Sequence, residues 1–173
     1  NVSGRFADLP HDVAITAISL TTGDEQWTAP TDLGVSRYML YMGAADGVII
    51  AAGSDKEKQF RVYGYDATDG SPLWTHAEVT KKTHHSGHLD HPTIVKDRLY
   101  VNKHIFYLRS GEIAAVDEFD FHGCGVMSAS MDTIFRRYEY HGMWDLETLE
   151  RTEIPGVRGG CWLGLLPARG LLL

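Results

Sequence analysis

Apolar residues alternate with polar ones in short runs along this chain, and the runs are separated by turns rich in Gly and Asp. The pattern of residues 18–27 returns at residues 65–74, 47 positions later. In both copies a tryptophan, Trp27 or Trp74, follows the turn glycine, Gly23 or Gly70, by four positions. Strand patterning that recurs every 40–50 residues or so is typical of propeller blades, each built from one small sheet.

A second pattern, a tight turn followed by an apolar strand, supports the repeat. The turns are Asp46-Gly47, Asp97-Arg98, Asp132-Thr133 and Arg169-Gly170. Eight positions before each turn another apolar strand begins, which we expect to be innermost in its blade; these strands start at Tyr38, Leu89, Cys124 and Cys161. Residues 124–135 align without gaps on residues 161–172.

The first pattern has two weaker copies, at residues 106–112 without the Trp and at residues 143–150 with Leu149 in place of Gly. Since no amphipathic helix is evident, we predict an all-β fold, a β-propeller of four-stranded antiparallel blades. The predicted division is a partial blade at 1–30, blades at about 31–80, 81–118 and 119–155, and a partial blade at 156–173.

Both ends of the chain fall inside strand patterns, so we expect about four blades of a larger ring, with the remainder in a larger propeller chain. The turn glycines Gly23 and Gly70 and the tryptophans Trp27 and Trp74 are interpreted as structural. A large flat indole suits the space between neighbouring blades.

Composition and charge exclude some functions. The 173 residues carry a net charge of −7, whereas a nucleic-acid partner requires a positive patch. No apolar run approaches the roughly 20 residues of a membrane span. Arg136 and Arg137 are expected to be surface partners of carboxylates.

Residues 64–74 resemble the tryptophan-docking repeat of the pyrroloquinoline-quinone (PQQ)-like propellers, Ala-x-Asp-x-x-Thr-Gly-x-x-x-Trp. Gly64 stands in place of the usual Ala, and Asp69 in place of Thr. The chain is similar to a divergent bacterial branch of this quinoprotein alcohol dehydrogenase-like family. The resemblance implies the propeller fold and a periplasmic or otherwise extracytoplasmic location.

Two functions are compatible with that family. The first is a non-catalytic binding or scaffolding module, as in outer-membrane protein assembly. The alternative is part of a periplasmic dehydrogenase that uses PQQ and Ca²⁺ to oxidise alcohols or sugars. The enzymes hold the quinone against a disulfide of two adjacent cysteines, and this chain has no adjacent pair. We therefore assign no catalytic residue.

The densest group of titratable side chains lies in the loops that lead into the inner strands, residues 84–91, 120–124 and 158–161. Such loops surround the mouth of a propeller channel, where polar groups converge on a concavity. We predict that a protein or small-molecule ligand binds there, with His88, His91, His122 and Arg158 as contacts.

The same histidines allow a second interpretation. His84, His85, His88 and His122 are candidate ligands for Zn²⁺ or Cu²⁺. The alternative is that they are solvated loop histidines without a ligand. Cys124 and Cys161 are one blade period apart, and equivalent positions on neighbouring strands are too distant for a disulfide. We predict that they are not bonded to each other.

Overall fold

The computed structural model describes residues 13–33, 38–54, 60–80, 91–101, 103–116, 126–137, 139–158 and 164–172. Within these ranges it contains strands and no helix, and therefore no helix that could cross a membrane. The strands are β1 (Ala14–Ile18), β2 (Glu25–Pro30), β3 (Tyr38–Ala45), β4 (Val48–Ser54), β5 (Phe60–Asp66), β6 (Pro72–Thr80), β7 (Thr93–Val95), β8 (Arg98–Val101), β9 (His104–Tyr107), β10 (Ile113–Val116), β11 (Ser128–Ala129), β12 (Thr133–Arg137), β13 (His141–Asp145), β14 (Arg151–Ile154), β15 (Pro167–Ala168) and β16 (Leu171–Leu172).

The strands form three four-stranded sheets and two strand pairs, in which each strand pairs antiparallel with the next one along the chain. We name the sheets blade 2 (β3–β6), blade 3 (β7–β10) and blade 4 (β11–β14). The pairs β1–β2 and β15–β16 are half-blade 1 and half-blade 5. Successive antiparallel meanders of four strands are the units of a propeller. The predicted all-β propeller fold is confirmed.

The first strands of successive blades lie side by side, β3 against β7 and β7 against β11. The Thr93 hydroxyl donates to the backbone carbonyl of Met127 in the next blade, at 3.4 Å. The Ser128 hydroxyl donates in the same way to the carbonyl of Leu165. Because first strands approach each other across blades, they are the innermost strands of the ring.

The turn between the third and fourth strands is the same in all four copies. In each, an amide donates to the carbonyl four positions earlier at 2.8–2.9 Å. The donor residue has a positive φ of 79° at Gly23, 75° at Gly70, 71° at Gly111 and 61° at Leu149. Leu149 therefore occupies a backbone conformation that favours glycine, and the two weaker sequence copies are genuine repeats.

The turns between first and second strands correct the sequence alignment. We call the turn between the first and second strands the inner turn. A backbone amide in the third-to-fourth-strand turn donates at 2.9 Å to the backbone carbonyl of its second residue, which is Gly47, Asp97 or Asp132 in blades 2, 3 and 4. Asp132 therefore corresponds to Gly170 and not to Arg169, and the gapless alignment of 124–135 on 161–172 is wrong by one position. A shift of one residue exchanges the two faces of a strand.

The core consists of layers between blades. Val48, Ile50, Leu99 and Phe106 belong to the layer between blades 2 and 3, and they are at most 1% exposed. A second layer lies between blades 3 and 4, and a third between half-blade 1 and blade 2. Both faces of an inner blade are thus covered.

Two arginines are buried, contrary to the expectation of surface positions. Arg136 is 5% exposed and Arg137 is 9% exposed. They follow each other on β12, so their side chains leave opposite faces of the strand. Both side chains are buried, because β12 lies between two neighbouring repeats, blade 3 and half-blade 5.

Candidate functional site

Each of the two repeat tryptophans packs on the turn glycine of the following blade. Trp27 lies over Gly70, where a methyl group would come within 2.6 Å of Cζ3 of the indole. Trp74 lies over Gly111, where a methyl group would be 2.4 Å from its Cγ. The rings are half-buried, and no side chain other than hydrogen fits beneath them.

Further contacts hold Trp74 at the junction of blades 2 and 3. Its indole N–H donates to the backbone carbonyl of Leu108 at 3.2 Å. The ring stacks on Phe106 with centroids 6.3 Å apart and planes 18° apart. Gly64, which replaces the usual Ala of the family repeat, lies beneath the same indole, since a methyl group there would be 2.3 Å from its Cε2. The indole is therefore engaged in blade packing.

At the junction of blades 3 and 4 the fourth-strand residue is small and the turn residue is large, the reverse of the tryptophan and glycine at the other junctions. Ala115 occupies the position of the tryptophan, and Leu149 occupies the position of the glycine. Both pack against the layer that contains Ile134 and Trp144. A large side chain on the turn thus takes the space that the tryptophan fills at the other junctions.

The loop rim is defined as the end of the blades at which the first strands begin, and among the predicted ligand-binding residues it contains His91 and Arg158. His91 precedes β7 and packs on Tyr41 of β3, with ring centroids 3.7 Å apart and planes tilted by 44°. The contact joins two neighbouring inner strands. Arg158 follows blade 4 and is exposed.

The predicted ligand or metal contacts His84, His85, His88 and His122 lie outside the described residues, and so do Cys124 and Cys161. The common ligand site of His88 and His122, the Zn²⁺ or Cu²⁺ site and the unbonded state of the cysteines stay predictions. Among the residues described, no group of three or more His, Cys, Asp or Glu is placed to hold a metal ion.

One histidine at this end of the blades was missed by the sequence patterns. His141 begins β13 and is 1% exposed. Its Nε2 accepts a hydrogen bond from the backbone amide of Leu165 in half-blade 5, at 3.4 Å. Burial lowers the pKa of His141, and the positive charge of Arg137 lowers it further. A neutral ring suits its role as an acceptor.

The opposite end, the turn rim, carries an ion pair between blades. Nη2 of Arg109 in blade 3 is 2.6 Å from a carboxylate oxygen of Asp66 in blade 2. Hydrogen bonds from the backbone and hydroxyl of Thr68 are the main cause of the lowered pKa of Asp66, and Arg109 adds to it. Since the arginine is exposed, the pair contributes little to stability.

A cleft of about 360 Å³ separates blade 4 from half-blade 5. Phe135 and Met143 line it on the side of blade 4, and residues 167–172 line it on the other side. At the corresponding places between blades 2 and 3, and between blades 3 and 4, side chains of a third strand fill the space.

A sequence model of the family described as outer membrane protein assembly factor BamB matches residues 10–120. The chain belongs to this family of PQQ-like propeller repeats. No curated protein matches the chain.

Two solved structures share the fold. The crystal structure of BamB from Moraxella catarrhalis aligns with a TM-score of 0.51 at 16% identity, covering 92% of this chain and 48% of that one. The computationally designed protein Ika8 aligns with a TM-score of 0.55 at 13% identity, covering 83% of this chain and 43% of that one. The chain therefore spans less than half the length of either structure.

Proposed function

We propose that this chain is part of a non-catalytic, extracytoplasmic propeller that binds a protein partner through its loop rim. The family supports the proposal, because its description names a factor in outer membrane protein assembly. The partner class that we propose is accordingly a component of the outer-membrane protein assembly machinery.

The observation that carries the proposal is how the described aromatic rings are used. Trp27 and Trp74 each cover a turn glycine of the next blade, and Trp144 is 2% exposed in the layer between blades 3 and 4. These tryptophans serve the packing of blades. Recognition is then left to the loops at the ends of the blades, which is where rigid scaffolds carry function.

The loop rim is the better of the two ends for such a surface. His91 and Tyr41 lie in contact at the junction of neighbouring inner strands, both partly exposed, and tyrosine is one of the residues enriched in protein interfaces. Arg158, exposed at the same end, adds the cationic side chain most common among interface anchors.

Site-specific photo-crosslinking in bacterial cells tests this proposal. A photoreactive phenylalanine at position 158 should be crosslinked to an assembly component, which mass spectrometry identifies. The matched control is position 147, because Glu147 is exposed on the turn rim of the same blade. If a partner is captured only from position 147, recognition occurs at the turn rim and the proposal is wrong.

The alternative function is part of a PQQ- and Ca²⁺-dependent dehydrogenase. The similarity of residues 64–74 to the repeats of that family supports this alternative. Equilibrium dialysis of the whole propeller that contains this chain against PQQ with Ca²⁺ separates the two functions. We expect no saturable binding by that propeller. Saturable binding, together with dye reduction that depends on an added alcohol or sugar, would favour the dehydrogenase.

A further inference from the structure

The sequence contains the dipeptide Asp-Gly twice, and the structure places the two copies in different turns of blade 2. Asp46-Gly47 forms the inner turn between β3 and β4, and Asp69-Gly70 lies in the turn between β5 and β6. An aspartate followed by glycine cyclises to an imide more readily than other aspartates, because glycine has no side chain to hinder its own amide nitrogen. The surroundings of each copy therefore decide where this chemistry proceeds.

The peptide between Asp46 and Gly47 lies at the exposed tip of the inner turn. Both residues are exposed, and a methyl group at Gly47 would meet no described atom within 4 Å. Among the residues that the structure describes, neither the Gly47 amide nor the Asp46 carbonyl forms a backbone hydrogen bond. No such contact opposes the rotation that brings Cγ of Asp46 to the Gly47 nitrogen.

The second copy is held on every side. The Gly70 amide donates to the carbonyl of Asp66 at 2.8 Å. The Asp69 carboxylate accepts a hydrogen bond from the Ser71 amide at 2.9 Å, and the hydrogen bonds from Ser71 lower the pKa of Asp69. The indole of Trp27 covers Gly70 so closely that a methyl group there would lie 2.6 Å from Cζ3. The nitrogen and the carboxyl group are both engaged, and an imide ring has no room.

We propose that Asp46-Gly47 is a site of spontaneous backbone isomerisation in this protein. The Gly47 nitrogen bonds to Cγ of the protonated Asp46 carboxyl group, whose hydroxyl leaves as water together with the amide hydrogen. Water then adds to one of the two carbonyl carbons of the five-membered imide. Cleavage between the nitrogen and Cγ restores aspartate, whereas cleavage between the nitrogen and the backbone carbonyl carbon leaves isoaspartate. One water is lost and one is regained, so the reaction requires no oxidant or other reagent.

The product alters a turn that joins two blades. The Gly47 carbonyl accepts hydrogen bonds from the Ala67 amide at 2.9 Å and from Nη1 of Arg109 in blade 3 at 3.4 Å. Ala45 and Val48 are paired across the turn, and isoaspartate inserts one additional main-chain carbon atom between them. The Gly47 carbonyl is thereby displaced from both donors, which weakens the contact between blades 2 and 3 at the turn rim.

Peptide mapping in isotopically heavy water tests the proposed site. The whole propeller that contains this chain is kept folded at slightly acidic pH and raised temperature, and both Asp-Gly peptides are followed by mass spectrometry. Each passage through the imide adds one heavy oxygen atom, and electron-transfer fragmentation distinguishes isoaspartate from aspartate. We expect the label at residue 46 to appear at least about tenfold faster than at residue 69, where hydrogen bonds and packed contacts must open first.

The same propeller unfolded in urea is the control for the intrinsic reactivity of the two dipeptides. Neither turn is formed in the unfolded chain, so we expect the two rates to be similar there. Equal rates in the folded protein, or label that appears first at residue 69, would overturn the proposal. So would a folded protein that acquires no label at residue 46 while the unfolded chain does.

Urea unfolding of stored samples tests the structural consequence. Asp46→Glu is the matched control, because it keeps the charge and the exposed position while its ring closure needs a six-membered imide, which forms far more slowly. We expect storage to lower the unfolding midpoint of the wild-type propeller as isoaspartate accumulates at residue 46, and to leave that of Asp46→Glu unchanged. An equal decrease in both proteins would show that the modification does not weaken the blade junction. The turn rim lies opposite the proposed partner surface, so these outcomes are independent of the proposed function.

Discussion

The packing of a tryptophan on the turn of the next blade can be tested by two substitutions of the same type, Gly111→Ala and Gly23→Ala. Both glycines occupy the same turn position, with φ of 71° and 79°. Alanine in this left-handed region costs about 1–2 kcal/mol at either site. At Gly111 the new methyl group would also lie 2.4 Å from Cγ of Trp74, and overpacking of this kind adds about 1–3 kcal/mol.

We therefore expect Gly111→Ala to lower the free energy of unfolding by about 2–5 kcal/mol and Gly23→Ala by about 1–2 kcal/mol. Urea unfolding measures both, with the midpoint and slope determined for each variant. The double-mutant cycle with Trp74→Ala isolates the contact. The cost of Gly111→Ala should fall to that of Gly23→Ala once the indole is gone.

Equal losses for the two glycine variants in the wild-type background would refute the argument. So would a cost of Gly111→Ala that is unchanged by removal of Trp74. Either result would mean that the indole moves aside without loss and that backbone conformation alone decides the choice of glycine.

Three further predictions follow from contacts at the blade junctions. Trp74→Ala should lower the free energy of unfolding by about 3–5 kcal/mol, near the lower end because the ring is half-buried. Trp74→Phe should lower it less, because that variant loses chiefly the hydrogen bond to the Leu108 carbonyl. A loss below about 1 kcal/mol on urea unfolding of the alanine variant would contradict this. Ala115→Trp should destabilise the chain, and adding Leu149→Gly should restore the midpoint, since the pair then matches the junction of blades 2 and 3; no rescue would show that the exchange of sizes is not coupled. The free energy of unfolding should decrease as the pH falls below about 6.5, because burial lowers the pKa of His141 and the unfolded chain takes up the proton first. His141→Gln should remove this part of the pH dependence of stability. Parallel plots of unfolding free energy against pH for the two proteins would disprove the assignment.

Much of the fold could be predicted from the sequence, because its signals are local. A strand requires alternation over a few residues, and the turns at Gly23 and Gly70 require a positive φ that glycine adopts readily. Such signals recur at every blade, so their period predicts a propeller. The same signals predict the weak copy at Leu149, although its side chain disfavours the turn conformation.

The exact register was beyond the sequence. The sequence pattern predicts Asp97 and Asp132 at the first residue of the inner turn, but both occupy the second. A turn constrains its backbone angles, and several residue types satisfy them. Only the hydrogen bonds from the neighbouring turn distinguish the two positions.

Burial on the second strand was also beyond the sequence. Two adjacent arginines predict a surface position when one face of the strand is assumed to be exposed to solvent. In this fold a neighbouring repeat lies on each side of β12, and Arg136 and Arg137 are 5% and 9% exposed. The residues that cover the two arginines belong to other blades, distant along the chain, so the local sequence pattern does not predict them.

The candidate site divides in the same manner. The sequence by itself determined that titratable residues, His91 and Arg158 among them, gather in loops that precede inner strands. Only the tertiary structure decided that His91 meets Tyr41 on the neighbouring strand, and that the buried ring of His141 accepts the Leu165 amide. Loop composition follows from local chemistry, whereas a contact between blades depends on how separate sheets are placed around a common axis.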